Sequence, residues 1–283
     1  MPEELAAPPM ELSNRAEGSG SAVILLHGVG GNHTVWNDVI PGLAKEFLVI
    51  APDLRGHGRS RSPPDSHYTF AELMGDVLHL LDEKGIPSAH FVGVSGGALL
   101  ALRITLEHPE RVRSLTMVSG AAYTDAHTRS VAERWGKTLL EEGPDRFALR
   151  LLKDLYYPDW VEANLDFADS VREQVKHQDY APAVEWAVAM GQFDERNRVA
   201  SVARPTLIVQ AMNDAVIDPS HGRILRQSIP GSQIRILTET GHLVPLERPK
   251  ELLDTLLPFL RFAERSKDSV RTEAKSGAGS MTL

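Results

Sequence analysis

Gly93-Val94-Ser95-Gly96-Gly97 places a glycine two residues before a serine and another two residues after it. An apolar run precedes this stretch and a helical pattern follows it. A chain that turns sharply from strand to helix at a serine forces that residue into a strained backbone conformation. Side chains two positions away on either side would collide, so glycine is needed there. The turn holds the serine Oγ at its tip, and the helix that follows aims free N–H groups and its positive end at the same point. The chemistry served is nucleophilic attack by the Ser95 oxygen.

Serine is a weak nucleophile at neutral pH and needs a base, and the base needs a carboxylate to orient it. Among eleven histidines, His242 is the candidate base, because it follows a strand-like run and its loop falls at the carboxyl edge of the sheet, where open α/β sheets bind ligands. Asp214 is the candidate acid, at the end of another apolar run on the same edge; Asp218, four residues on, is the alternative. The order serine, acid, histidine is one of the known orders of such a triad. A developing oxyanion needs N–H donors. Gly96, directly after the nucleophile, supplies one. Val29, in His27-Gly28-Val29-Gly30-Gly31, is chosen for the other, with Gly28 and Gly30 as alternatives. His27 and His57 are read as braces of their loops. No two histidines have metal-site spacing.

Six short apolar runs must position these residues: 23–26, 47–51, 91–94, 114–118, 206–210 and 233–237. Each is rich in Val, Ile and Leu and bounded by turn residues, the pattern of strands buried on both faces of a parallel sheet. Helical patterns at 70–84, 97–107 and 252–262 alternate with them, which predicts an α/β fold. Residues 121–203 break the rhythm with helical patterning and no strand, as at 131–142 and 145–155, and are expected to be a helical insertion. Within it Trp135 and Trp160 are substrate-pocket candidates, together with Val216 and Leu243 beside the acid and the base. The expected organisation is a core of 1–120 and 204–265, a helical cap of 121–203 and a disordered polar tail from 266 to 283.

A chain of 283 residues, 42% hydrophobic, can bury such a core. Its formal net charge of −8 argues against general binding to nucleic acid or anionic lipid. The absence of cysteine excludes disulfides, thiolate metal sites and a cysteine nucleophile. The first residues carry no basic run followed by an apolar stretch, so no secretory signal is expected and the cytoplasm is the expected compartment. A homodimer is compatible with the sequence.

Leu25-Leu26-His27-Gly28-Val29-Gly30-Gly31, Pro52-Asp53-Leu54-Arg55-Gly56-His57-Gly58-Arg59-Ser60, the Ser95 turn, the Asp214 loop and Gly241-His242 together resemble the α/β-hydrolase superfamily. The resemblance spans roughly 11–262. It implies a mostly parallel central sheet flanked by helices with a helical cap insertion, Ser95 as nucleophile, Asp214 as acid and His242 as base. The chain looks most like small carboxylesterases and 3-oxoadipate enol-lactonases. It departs from the family in having Gly96 where Met, Leu or Trp is common, and Ala211 where many members have glycine. A serine at the turn argues against haloalkane dehalogenases and epoxide hydrolases, which place aspartate there. The implied activity is hydrolysis of a small-molecule carboxylic ester or lactone through an acyl-enzyme, with no cofactor and no metal. A carbon–carbon bond hydrolase or lyase on the same triad, and a slow-turnover small-molecule receptor, are the other expectations.

Overall fold

Runs of Val, Ile, Leu and Ala too short for a helix satisfy their backbone groups by pairing side by side, and here they do so in one sheet. The computed structural model describes residues 8–62 and 66–277, without the side chains of 266–277. In chain order the elements are β1 (Asn14–Glu17), β2 (Ala22–Leu26), α1 (Ile40–Leu43), β3 (Leu48–Pro52), α2 (Phe70–Glu83), β4 (Ala89–Val94), α3 (Gly96–Glu107), β5 (Val112–Val118), α4 (Ala126–Glu142), α5 (Pro144–Leu155), α6 (Pro158–Ala163), α7 (Leu165–His177), α8 (Ala181–Gly191), β6 (Thr206–Ala211), α9 (Ser220–Ser228), β7 (Gln233–Leu237), α10 (Val244–Glu247) and α11 (Pro249–Gly277).

The seven strands lie in the order β1-β3-β2-β4-β5-β6-β7. All neighbours are parallel except β1, which runs antiparallel to β3. The chain leaves β2 toward β3 on one side and returns to β4 on the other. The strand order therefore reverses between β2 and β4, and the carboxyl edge at such a reversal is the ligand position of open α/β sheets. The register pairs Leu26 with Gly93, which brings the ends of these two strands level. One face of the sheet is covered by α2, α3 and α9, the other by α1 and α11.

The insertion between β5 and β6 is all helical. Its ends pair with each other, Thr124 N–H to Phe193 O at 2.9 Å and Glu195 N–H to Ala122 O at 2.8 Å, so α4 to α8 stand on a double-stranded stem. Three expectations need correction. The edge strand β1 is absent from the apolar pattern because its residues, Asn-Arg-Ala-Glu, are polar. β7 is not buried on both faces: as the other edge, it alternates exposed and half-buried residues up to Leu237. The last helix does not stop at Phe262 but runs to Gly277, across the start of the expected disordered tail; its Glu, Arg, Lys and Ala residues are good helix formers. Residues 278–283 lie outside the described residues. Among the described residues no helix is long and apolar enough to cross a membrane.

Candidate active site

Ser95 sits between β4 and α3 with φ 55° and ψ −124°, a left-handed conformation that a residue with a Cβ rarely adopts. The flanking glycines are dictated by contact with backbone. A Cβ on Gly93 would lie 2.2 Å from Gly97 O, and one on Gly97 would lie 2.3 Å from Leu26 O. The Ser95 N–H is held by Val118 O at 3.0 Å, which ties the turn to β5. Ser95 Oγ itself makes no hydrogen bond among the described residues.

The loop after β2 lies directly against this turn: a Cβ on Gly28 would come 2.9 Å from Ser95 Cβ. The Gly30 amide donates to His57 Nε2 at 3.1 Å, which takes it out of the set of oxyanion donors. The amides of Val29 and Gly96 make no hydrogen bond among the described residues.

Two buried histidines support this loop. His27 Nε2 accepts the Leu54 amide at 2.9 Å, so its Nδ1 carries the proton and donates to Gly28 O at 2.8 Å. His57 repeats the pattern, with Nε2 taken by Gly30 N–H and Nδ1 donating to Arg55 O at 2.8 Å. Both rings must be neutral to make these bonds. Burial drives the His27 pKa down to about 3, helped by repulsion from His57. Burial lowers His57 as well. This is the geometry of bracing, with no ring nitrogen left over for proton transfer.

His242 follows β7, and its Nδ1 donates to both oxygens of Asp214, at 2.9 and 2.8 Å. Both side chains are buried. Asp214 Oδ1 also accepts the amides of Val216 and Ile217, each at 2.9 Å, which fixes the carboxylate after β6. With Nδ1–H committed, the second nitrogen, Nε2, has its lone pair available. Of the two carboxylates after β6, only Asp214 touches His242. Asp218 is exposed, and its Oδ1 accepts the Ser220 amide at 2.8 Å at the start of α9. Hydrogen bonds from Ser220 hold its carboxyl below the usual aspartate range.

The four pocket candidates fall into two clusters. Val216 packs with Ala121, Val131 and Trp135, whose Nε1 donates to Asp154 Oδ2 at 2.9 Å. Leu243 packs with Tyr156 and Trp160, and these two rings stack 5.3 Å apart. The element nearest the turn is a different one, α8. A Cβ on Gly96 would come 2.9 Å from Met190 Sδ and 3.0 Å from Trp186 Cζ2. Met190 and Trp186 of the cap thus take up the space that a side chain at Gly96 would need. Trp186 is fully buried and meets His27 and His57 edge-on. Gln178 Nε2 donates to Gly30 O at 3.0 Å. Sequence reasoning missed Trp186, Met190 and Gln178; Ala183, Trp186 and Met190 recur at helical spacing and form the buried face of α8, whereas Val184 and Val188 are exposed, and Gln178 precedes that helix with no such signal.

A second set of the same residue types shows why position matters. Ser114 Oγ lies 2.7 Å from His90 Nδ1, and His90 Nε2 lies 2.6 Å from Glu264 Oε1. It stands near the amino ends of β4 and β5, at the opposite edge of the sheet from Ser95, and Ser114 is fully buried. No substrate reaches it. A cavity of about 350 Å³ lined by Tyr123, Asp125, Arg129, Phe193, Asp194 and Arg196 opens at the stem of the cap and touches none of the candidate triad. Among the described residues no three His, Asp or Glu side chains are grouped to hold a metal ion.

Comparison with known proteins gives the family and the fold. The family profile described as alpha/beta hydrolase fold matches residues 21–249. The chain is 30% identical over 254 residues to "Putative carbamate hydrolase RutD" of Azorhizobium caulinodans, covering 88% of this chain and 94% of that protein. Among solved structures, a hydrolase from Pseudomonas aeruginosa PA01 superposes with a TM-score of 0.80 at 29% identity, covering 88% of this chain and 94% of its own. The enol-lactonase of Burkholderia xenovorans LB400 superposes with a TM-score of 0.81 at 26% identity, covering 88% and 96%. The reversal of strand order at β2 and β4, the strained serine between strand and helix and the family match over most of the chain lead to one assignment: this protein belongs to the α/β-hydrolase family.

Proposed function

We propose that the protein is a serine hydrolase that cleaves a carboxylic ester or lactone through an acyl-enzyme. His242 Nε2 takes the proton from Ser95 Oγ as the oxygen attacks the substrate carbonyl carbon. Asp214 holds the ring in the required tautomer and stabilises the imidazolium. Charge that develops on the carbonyl oxygen is met by the amides of Val29 and Gly96. The imidazolium then protonates the leaving alkoxide as the carbon–oxygen bond breaks. In the second half, His242 removes a proton from water, the hydroxide attacks the acyl carbon, and Ser95 regains its proton. The sequence needs no cofactor.

The observation that carries this reading is the buried bond of His242 Nδ1 to both oxygens of Asp214, which leaves Nε2 as the basic nitrogen on the same sheet edge as Ser95. The RutD relatives favour a second carbonyl class, carbamates, which the same steps would cleave. The test is a panel of p-nitrophenyl esters of rising chain length, several lactones and aryl carbamates, each with wild type and Ser95→Ala. Hydrolysis of at least one ester or lactone, lost in Ser95→Ala, is expected. Turnover of carbamates alone would shift the substrate class while keeping the mechanism. Equal rates for both proteins on every substrate would overturn it.

A further inference from the structure

Among the buried acids outside the triad reading, Glu247 is the one that binds the loop of the base. Glu247 ends α10, five residues after His242, and is 5% exposed. Its Oε2 accepts two amides, that of Gly241 at 3.0 Å and that of Tyr157 at 2.9 Å. Gly241 directly precedes His242, whereas Tyr157 stands at the start of α6 in the cap. One carboxylate oxygen therefore bridges the loop of the base and the cap, whose Tyr157 lies 90 residues before Glu247 in sequence. A second link runs beside it: Leu155 O accepts the amide of His242 at 2.8 Å. The two backbones are so close that a Cβ on Gly241 would lie 2.6 Å from the Tyr156 carbonyl carbon.

Glu247 Oε1 makes no hydrogen bond in this buried setting. A plain structural clamp needs only the oxygen that accepts the two amides. Burying the rest of a carboxylate is costly, and a neutral amide could accept the same two bonds. Burial pushes the Glu247 carboxyl up, while the two amides and the nearby His242 and Arg248 pull it back toward the anion.

We infer that Glu247 is a positioning residue, which ties the loop of His242 to the cap and places a second negative charge behind the imidazolium that forms there. The inference rests on His242 being the base. The charged and titratable groups facing this pair are Asp214 on His242, and Tyr156 and Arg248 on Glu247. Loss of the Glu247 charge makes the imidazolium harder to form, so the acid limb of the rate profile moves to lower pH.

The test compares wild type, Glu247→Gln and Glu247→Asp with p-nitrophenyl acetate as substrate. Active enzyme is counted by fluorophosphonate labelling, and each protein's melting is recorded. Glu247→Gln keeps the size and one acceptor but removes the charge. Its kcat per labelled site is expected to fall about tenfold with KM within about twofold. The acid-limb pKa of kcat/KM is expected to fall by about half a unit or more. Unchanged kcat per labelled site and an unchanged pH profile would overturn the inference, whatever happens to melting. If Glu247→Gln does not fold, Glu247→Asp decides: it keeps the charge but shortens the reach, so a lower kcat with an unmoved acid limb supports the role and a wild-type kcat overturns it. Failure of wild type to label at Ser95 would instead overturn the triad reading, so the two failures are distinguishable.

Discussion

At the scale of single residues, the roles of the two acids after β6 separate cleanly. Asp214 is buried and bonded to His242, so Asp214→Asn is expected to lower kcat by roughly a thousandfold or more with little change in melting, because the ring loses its partner and its tautomer. Asp218 serves the start of α9, so Asp218→Asn is expected to keep most of the activity and to cost about 1 kcal/mol of stability or less. Steady-state kinetics and melting on both variants check the pair. His27 makes a prediction about pH. Its folded pKa of about 3 lies below the ordinary 6.5, so the unfolded chain binds the extra proton first. Stability from the neutral ring is present above 6.5 and is lost as pH falls through the window from 6.5 toward 3, with a slope of up to about 1.4 kcal/mol per unit. Urea unfolding at several pH values checks this, and the slope is expected to flatten in His27→Asn. The residues proposed for the chemistry could be picked out in the sequence because steric demand and strand-end position mark them. Glu247 was not, because its meaning lies in a contact with Tyr157 that no local pattern carries.

At the scale of elements, the sharp passage from β4 to α3 ranks the two glycines after Ser95. Gly97 faces backbone, at 2.3 Å from Leu26 O and 2.5 Å from His27 O. Backbone held in a sheet cannot retreat, so Gly97→Ala is expected to cost upward of about 3 kcal/mol or to prevent folding. Gly96 faces the flexible Met190 and the edge of Trp186, both on α8. Gly96→Ala is therefore expected to fold with a loss of about 1–2 kcal/mol as Met190 shifts. Denaturant melts of the two variants give the ranking directly. The interior strands were readable because parallel strands buried on both faces need unbroken apolar runs. Edges escape that requirement, which is why polar β1 went unseen and β7 proved half exposed. The approach of α8 to the Ser95 turn was hidden because apolar residues stand on both its faces: Trp186 and Met190 are buried while Val184 and Val188 are exposed, and composition does not tell which face turns inward.

At the scale of the whole molecule, the closing helix α11 is fastened to the sheet before it reaches the tail. Leu252, Leu256, Phe259, Leu260 and Ala263 are buried, and Glu264 pairs with His90 and, at 2.7 Å, with Arg113. Ending the chain after Arg265 keeps all of these, so melting temperature and activity are expected to stay nearly unchanged. Ending it after Ala263 strips His90 and Arg113 of their acid and is expected to cost about 1–3 kcal/mol. The fold thus holds one Ser–His–acid set near the amino end of the sheet, with its serine buried, and carries Ser95 and the His242–Asp214 pair on the carboxyl edge where strand order reverses. That difference in location, more than the residue types, singles out Ser95. The most direct test of the central claim is intact-mass and peptide-level spectrometry after treatment with a fluorophosphonate probe, on wild type and Ser95→Ala. One adduct per chain, on Ser95, with loss of esterase activity in parallel and none in Ser95→Ala, is the predicted result. An adduct on another residue, or an active Ser95→Ala enzyme, would contradict the account.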